Sequence, residues 1–228
     1  LTGVLDAENL HERIEGMEEV FADHPGMEIV AMEGDDYLID VAITDGSRDI
    51  MLFSDAGKVI RFKEADVRSM GRTACGVRGI KLPPGQRVIS LIIASDSPVL
   101  TATENGYGKR TPVDDFPVQG RGGQGVIAIQ TTERNGRTVG AVRVSDDDEI
   151  MLISDKGTLV RTPATGVSTI GRNTQGETII RTSADETVVG LQRIDEIQDD
   201  TEYDEDGNAI LDETVNEIQA PGDTPEAE

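Results

Sequence analysis

The chain has 228 residues, of which 36% are hydrophobic and 3% aromatic, with no Trp; this supports several thin cores rather than one large interior. Its formal charge is −23, yet fourteen acidic and no basic side chains lie from Asp195 onward, so residues 1–194 carry 21 basic against 30 acidic groups, a net of −9. One cysteine, Cys75, and two histidines, His11 and His24, exclude an internal disulfide and a Cys/His zinc cluster, and no stretch of about 18 apolar residues offers a membrane helix.

Taken from its start, the chain opens on Leu1 with no secretory signal, which predicts a soluble cytoplasmic protein and suggests a piece of a longer one. Leu10, Ile14, Met17, Val20 and Phe21 fall at helical spacing, predicting an amphipathic helix over residues 6–21 that either seals a core or docks a partner.

Beyond it the sequence repeats. Ile50-Met51-Leu52-Phe53-Ser54-Asp55-Ala56-Gly57-Lys58-Val59-Ile60-Arg61 returns as Ile150-Met151-Leu152-Ile153-Ser154-Asp155-Lys156-Gly157-Thr158-Leu159-Val160-Arg161, with a third version from Val99 to Arg110. Gly57, Gly106 and Gly157 lie 49 and 51 residues apart. A second motif, Gly-Arg-x-x-x-Gly, starts at Gly71, Gly120 and Gly171 with the same intervals. Residues 38–43 match 88–93, so three full repeats follow a partial one.

Each repeat reads as an apolar run, a Gly-containing turn and a second run ending in a base. Asn135-Gly136, between Val126-Ile127-Ala128-Ile129 and Val139-Gly140-Ala141-Val142, predicts a two-residue hairpin. Runs without alternation, such as 150–153, predict strands buried on both faces, with Met51 and Met151 in the core. Repeats of this length predict an all-β, propeller-like array of small sheets. The predicted divisions are a partial blade with the helix at 1–25, blades at 26–194, and a disordered acidic tail at 195–228.

Several motifs tempt a chemical reading. Gly120-Arg121-Gly122-Gly123-Gln124-Gly125 satisfies the dinucleotide pattern, but a strand and not a helix is expected after it. Glu202 to Glu213 has calcium-loop spacing without a following helix. No nucleophile and base pair is legible, so neither a catalytic residue nor a metal site is predicted. Positive charge, by contrast, recurs in phase: Arg72, Arg121 and Arg172 in the Gly-Arg motif, Arg61, Arg110 and Arg161 at the hairpin ends, and Lys109 beside Arg110. Equivalent positions of an array line one rim, so these residues are predicted to form a DNA-binding track; the alternative is a repeated structural ion pair.

The strings Met51-Leu52-Phe53-Ser54 to Arg61-Phe62-Lys63-Glu64, Gly76-Val77-Arg78-Gly79, Asn105-Gly106-Tyr107-Gly108-Lys109-Arg110-Thr111 and Gly171-Arg172-Asn173-Thr174-Gln175-Gly176 resemble the C-terminal domain of the DNA gyrase A subunit over residues 26–194. The resemblance implies a six-bladed β-pinwheel that wraps double-stranded DNA and supports ATP-dependent negative supercoiling. It also implies partnership with the gyrase B subunit and the N-terminal part of the gyrase A subunit in an A2B2 enzyme, at a nucleoid-associated site in the cytoplasm. Nucleophile, ATP and Mg2+ belong to other parts of that enzyme, so no cofactor is expected here. The family's gyrase box is similar only to Gln119-Gly120-Arg121-Gly122-Gly123-Gln124-Gly125, with two of its bases replaced. The true box is expected upstream of Leu1, and residues 9–25 look like an insertion. Competing readings are the related topoisomerase IV domain and a propeller-like protein-interaction module.

Overall fold

The computed structural model describes residues 38–70 and 76–194. The predicted helix, Arg72, Cys75, both histidines and the segment from Asp195 onward lie outside the described residues. Within them the chain forms eleven strands and three short 3-10 turns.

Every repeat contributes an antiparallel hairpin: β1 (Asp49–Ser54) with β2 (Lys58–Lys63), β4 (Val99–Thr103) with β5 (Tyr107–Thr111), and β8 (Glu149–Ser154) with β9 (Leu159–Pro163). At the turns Gly57, Gly106 and Gly157 take φ of +71°, +77° and +83°, and each N–H returns to the carbonyl three residues back. Only glycine adopts that left-handed geometry cheaply, which is why the phase is kept there. Carboxylates at the same turns accept the backbone N–H that leads into the third strand: Asp55 from Arg87, Glu104 from Arg137, Asp155 from Thr187. Those strands are β3 (Val88–Ile93), β7 (Thr138–Arg143) and β11 (Val188–Ile194).

The fourth strand of a sheet comes from the repeat that follows. β6 (Val126–Ile127) pairs with β2, and β10 (Glu177–Thr178) pairs with β5, giving the orders β3-β1-β2-β6 and β7-β4-β5-β10; among the described residues the third sheet ends at β9. This overturns the hairpin expected at Asn135-Gly136, because β6 and β7 enter different sheets. A type I′ turn needs positive φ at both central residues, but only Gly136 has it. Asn135 is instead buried as a loop lock, accepting from Thr132 N–H and donating to Gln130 O and Gln175 O.

Apolar faces of neighbouring sheets close on one another. Met51, Phe53 and Val59 meet Val99, Val113 and Phe116, with the Phe53 and Phe116 rings edge to face at 6.1 Å. Leu100 and Ala102 likewise meet Ile150, Leu152 and Val167. The doubly covered β4 is buried at every residue, whereas β8 alternates and Met151, expected in the core, is half-buried. The inner strands β3, β7 and β11 border a cleft of about 1130 Å³. Residues 38–43, which match 88–93 in sequence, form no strand, and Leu38, Val41 and Ile43 are exposed. The opposite margin of the first two sheets carries β6 or β10 and the Gly-Arg loop that precedes it.

Candidate nucleic-acid interface

The hairpin-end arginines turn inward wherever a following repeat covers them. Arg61 Nε donates to Asp49 at 2.8 Å, and its Nη1 crosses the sheet boundary to the carbonyls of Val113 at 3.0 Å and Phe116 at 3.3 Å. Arg110 makes the same reach one repeat later, to Val167 O at 2.7 Å and the Asp146 carboxylate at 2.6 Å. Burial alone would raise the Asp49 carboxyl, but hydrogen bonds and charge from Lys63 and Arg61 bring it below the usual carboxylate range. These contacts make Arg61 and Arg110 clamps between sheets. Arg161, on the uncovered β9, pairs with Glu149 and stays 58% exposed.

Lys109 departs furthest from expectation. It is 0% exposed, and its Nζ donates to Gly171 O at 2.8 Å, to Arg172 O and to Thr174 Oγ1 at 3.1 Å. A side chain so enclosed does not reach a phosphate.

The Gly-Arg arginines hook the preceding repeat in register. Arg121 Nη1 donates to Arg78 O at 2.5 Å, and Arg172 Nη1 to Ile127 O at 3.1 Å. Both side chains remain half-buried, at the margin of the array. The segment from Gln119 to Gly125 is seated on the first repeat. Gln119 N–H donates to Arg61 O, Gly122 N–H to Gly79 O, and Gly123 O accepts from Lys81 N–H. A Cβ on Gly125 would stand 2.3 Å from Val59 O, so the final glycine of the motif is required where the chain crosses to the neighbouring sheet. A two-residue strand follows it and no helix, so the dinucleotide pattern lacks its context.

A family profile described as "DNA gyrase C-terminal domain, beta-propeller" matches residues 48–95, 97–145 and 148–195, one match for each sheet-forming repeat. The chain belongs to the DNA gyrase C-terminal domain family. The DNA gyrase A subunit of Salmonella typhimurium is 57% identical over 180 residues, covering 78% of this chain and 20% of that protein. Its counterpart in Escherichia coli K12 is 52% identical over 204 residues, covering 88% and 23%. The chain thus spans about a fifth of the length of these curated relatives. A solved DNA gyrase A C-terminal domain superposes with a TM-score of 0.67 at 27% identity, covering 75% of this chain and 59% of that one. The C-terminal domain of DNA topoisomerase IV superposes with 0.68 at 24% identity, covering 72% and 52%, a likeness of fold.

The gyrase-type repeats also carry exposed bases that the repeat motifs alone do not single out: Arg78, Lys81, Arg134 and Arg181. Lys81 and Arg181 each stand five residues after the final glycine of the Gly-Arg motif, with Gln130 at that offset in the second repeat. Counting from that glycine would have found them. The Arg134 guanidinium lies 4.8 Å from the centre of the Tyr107 ring. Among the described residues no three His, Cys, Asp or Glu are placed to hold a metal ion, and no helix is long and apolar enough to cross a membrane.

Proposed function

We propose that this chain is a DNA-wrapping, non-catalytic part of a gyrase A subunit, and that duplex DNA runs over the margin formed by the Gly-Arg loops and the donated strands. In this reading the parent protein is an ATP-dependent type II topoisomerase. Partners are the gyrase B subunit and the N-terminal part of the gyrase A subunit, the location is cytoplasmic, and the blades form part of a β-pinwheel. The observation that carries it is repetition in phase: Arg121 and Arg172 occupy equivalent positions on successive repeats, and Lys81 and Arg181 equivalent positions on the first and third. A smoothly bent polyanion is contacted at regular intervals by such an array, and no base-edge readout is needed. The net acidity of the chain does not oppose this, since binding follows the local potential along the contact path.

The relatives at 52–57% identity are gyrase A subunits, which favours gyrase over topoisomerase IV. Against a protein-interaction module, salt dependence decides. A labelled duplex titrated over a salt series is expected to bind with an affinity that falls steeply, and Lys81→Ala and Arg181→Ala each to remove about one unit of the slope, whatever the DNA sequence. No duplex binding at low salt, or an unaltered slope in the folded double variant, would overturn the assignment.

A further inference from the structure

Lys109 occupies a position where the other two repeats carry aliphatic side chains, Ile60 and Val160. An ammonium buried there costs stability: burial pushes Lys109 down to about 8, with Asp115 opposing and Arg172 reinforcing the shift. Ill-matched buried charge of this kind collects at functional sites. The ammonium draws the carbonyls of Gly171 and Arg172 inward, together with the Thr174 hydroxyl. The N–H groups of Arg172, Asn173 and Thr174 find no acceptor among the described residues, and Asn173 is exposed. The corresponding turn of the second repeat is arranged otherwise. Ile60 offers it no donor and Gly122 N–H is spent on Gly79 O, although Gly123 O accepts from Lys81 N–H just as Thr174 O accepts from Gln130 N–H.

We propose that residues 171–174 are a phosphate-binding turn, and that Lys109 is its positioning residue, holding the carbonyl ends of the peptides inside so that the N–H ends and Arg172 receive a backbone phosphate. Successive free N–H groups beside a guanidinium form a concave anion site, and a carbonyl facing outward among them would repel the anion. This rests on the reading of the margin as the DNA face and adds the particular site at which one phosphate is gripped.

The test separates stability from binding. Lys109→Met, which fills the same space without charge, is expected to keep or raise the midpoint of urea unfolding, because a buried unpaired ion is replaced by an apolar group. It is nevertheless expected to weaken duplex binding about threefold to tenfold, the range in which an indirect contact acts. Lys109→Arg should recover part of the loss. Amide NMR of the wild-type chain gives a second measurement: adding inorganic phosphate should shift the Arg172, Asn173 and Thr174 resonances, and in Lys109→Met these shifts should vanish. If the chain bound no duplex while phosphate still moved those amides, the DNA reading would fail and the turn would stand. A folded Lys109→Met with wild-type affinity, or amides indifferent to phosphate in the wild-type chain, would overturn the turn itself.

Discussion

Arg137 of the second repeat closes a 2.9 Å ion pair with Asp55 at the hairpin turn of the first. The two ends are unequal, since the Asp55 side chain is 9% exposed and that of Arg137 61%. Asp55 also accepts the Arg87 N–H that starts β3, and its carbonyl accepts Thr138 N–H at the start of β7. Asp55→Ala should therefore cost about 1–3 kcal/mol, because it removes the acceptor shared by the Arg87 N–H and the Arg137 guanidinium, whereas Arg137→Ala should cost about 1 kcal/mol or less. Urea unfolding of both variants checks the ratio.

Gly57 and Gly157 share a turn geometry and differ in what covers them. A Cβ on Gly57 would stand 2.2 Å from Ile129 O, in the chain donated by the second repeat, while nothing lies within 4 Å of one on Gly157. Gly157→Ala should cost only the left-handed penalty, about 1–2 kcal/mol. Gly57→Ala should cost clearly more, because β6 and the residues after it must move. Equal losses in denaturant melts would mean that the donated segment is not seated on the turn.

How much of this was legible follows from which interactions are local. The turn glycines and the hairpins around them depend on neighbours in sequence, and the repeat phase exposed them directly, whereas the alternation of β8 did not show because Ile150-Met151-Leu152-Ile153 is apolar throughout. Strand donation did not show, because β6 has only two paired residues and Val126-Ile127-Ala128-Ile129 reads equally well as the partner of β7. The clamping by Arg61 and Arg110 did not show for a similar reason. An arginine serving carbonyls of the next repeat has the same one-letter code as one serving phosphates, and only the covering segment tells them apart.

Glu186 gives the third repeat an acid-sensitive fastening. Hydrogen bonds from the Ser154 and Thr158 side chains and the Ser183 N–H hold its carboxyl down at about 2, against an ordinary 4.5. A folded-state value below the unfolded one means that the stabilisation is complete above about pH 5 and drains away as pH falls towards 2. Glu186→Gln should flatten the pH dependence of the unfolding midpoint across that window, and a variant with the wild-type profile would assign the acid sensitivity to another group.

Fourteen acidic residues follow Ile194 and no basic ones, a composition able to compete with DNA for basic side chains. If it does so, deleting residues 195–228 should tighten duplex binding most in dilute buffer, and the gain should fade as the screening length shortens to about 8 Å near physiological salt. Equal affinity with and without the segment across a salt series would leave it the role of a solubiliser.

The borrowed fourth strand has a consequence for synthesis on the ribosome. β2 is finished at Lys63, yet the segments that satisfy its outer edge arrive only with Val118-Gln119 and Val126-Ile127. At roughly 5–20 residues per second, the nascent chain carries that raw edge for about 3 to 12 s before the next repeat arrives to cap it. Lys63 at its end and Lys58 at its start place a positive charge at either limit of the waiting strand, the kind of residue that discourages pairing with a stranger. Translation speed through the repeats thus becomes a determinant of yield, and slow codons between one hairpin and the strand that closes it would lengthen the interval in which two nascent chains can join each other.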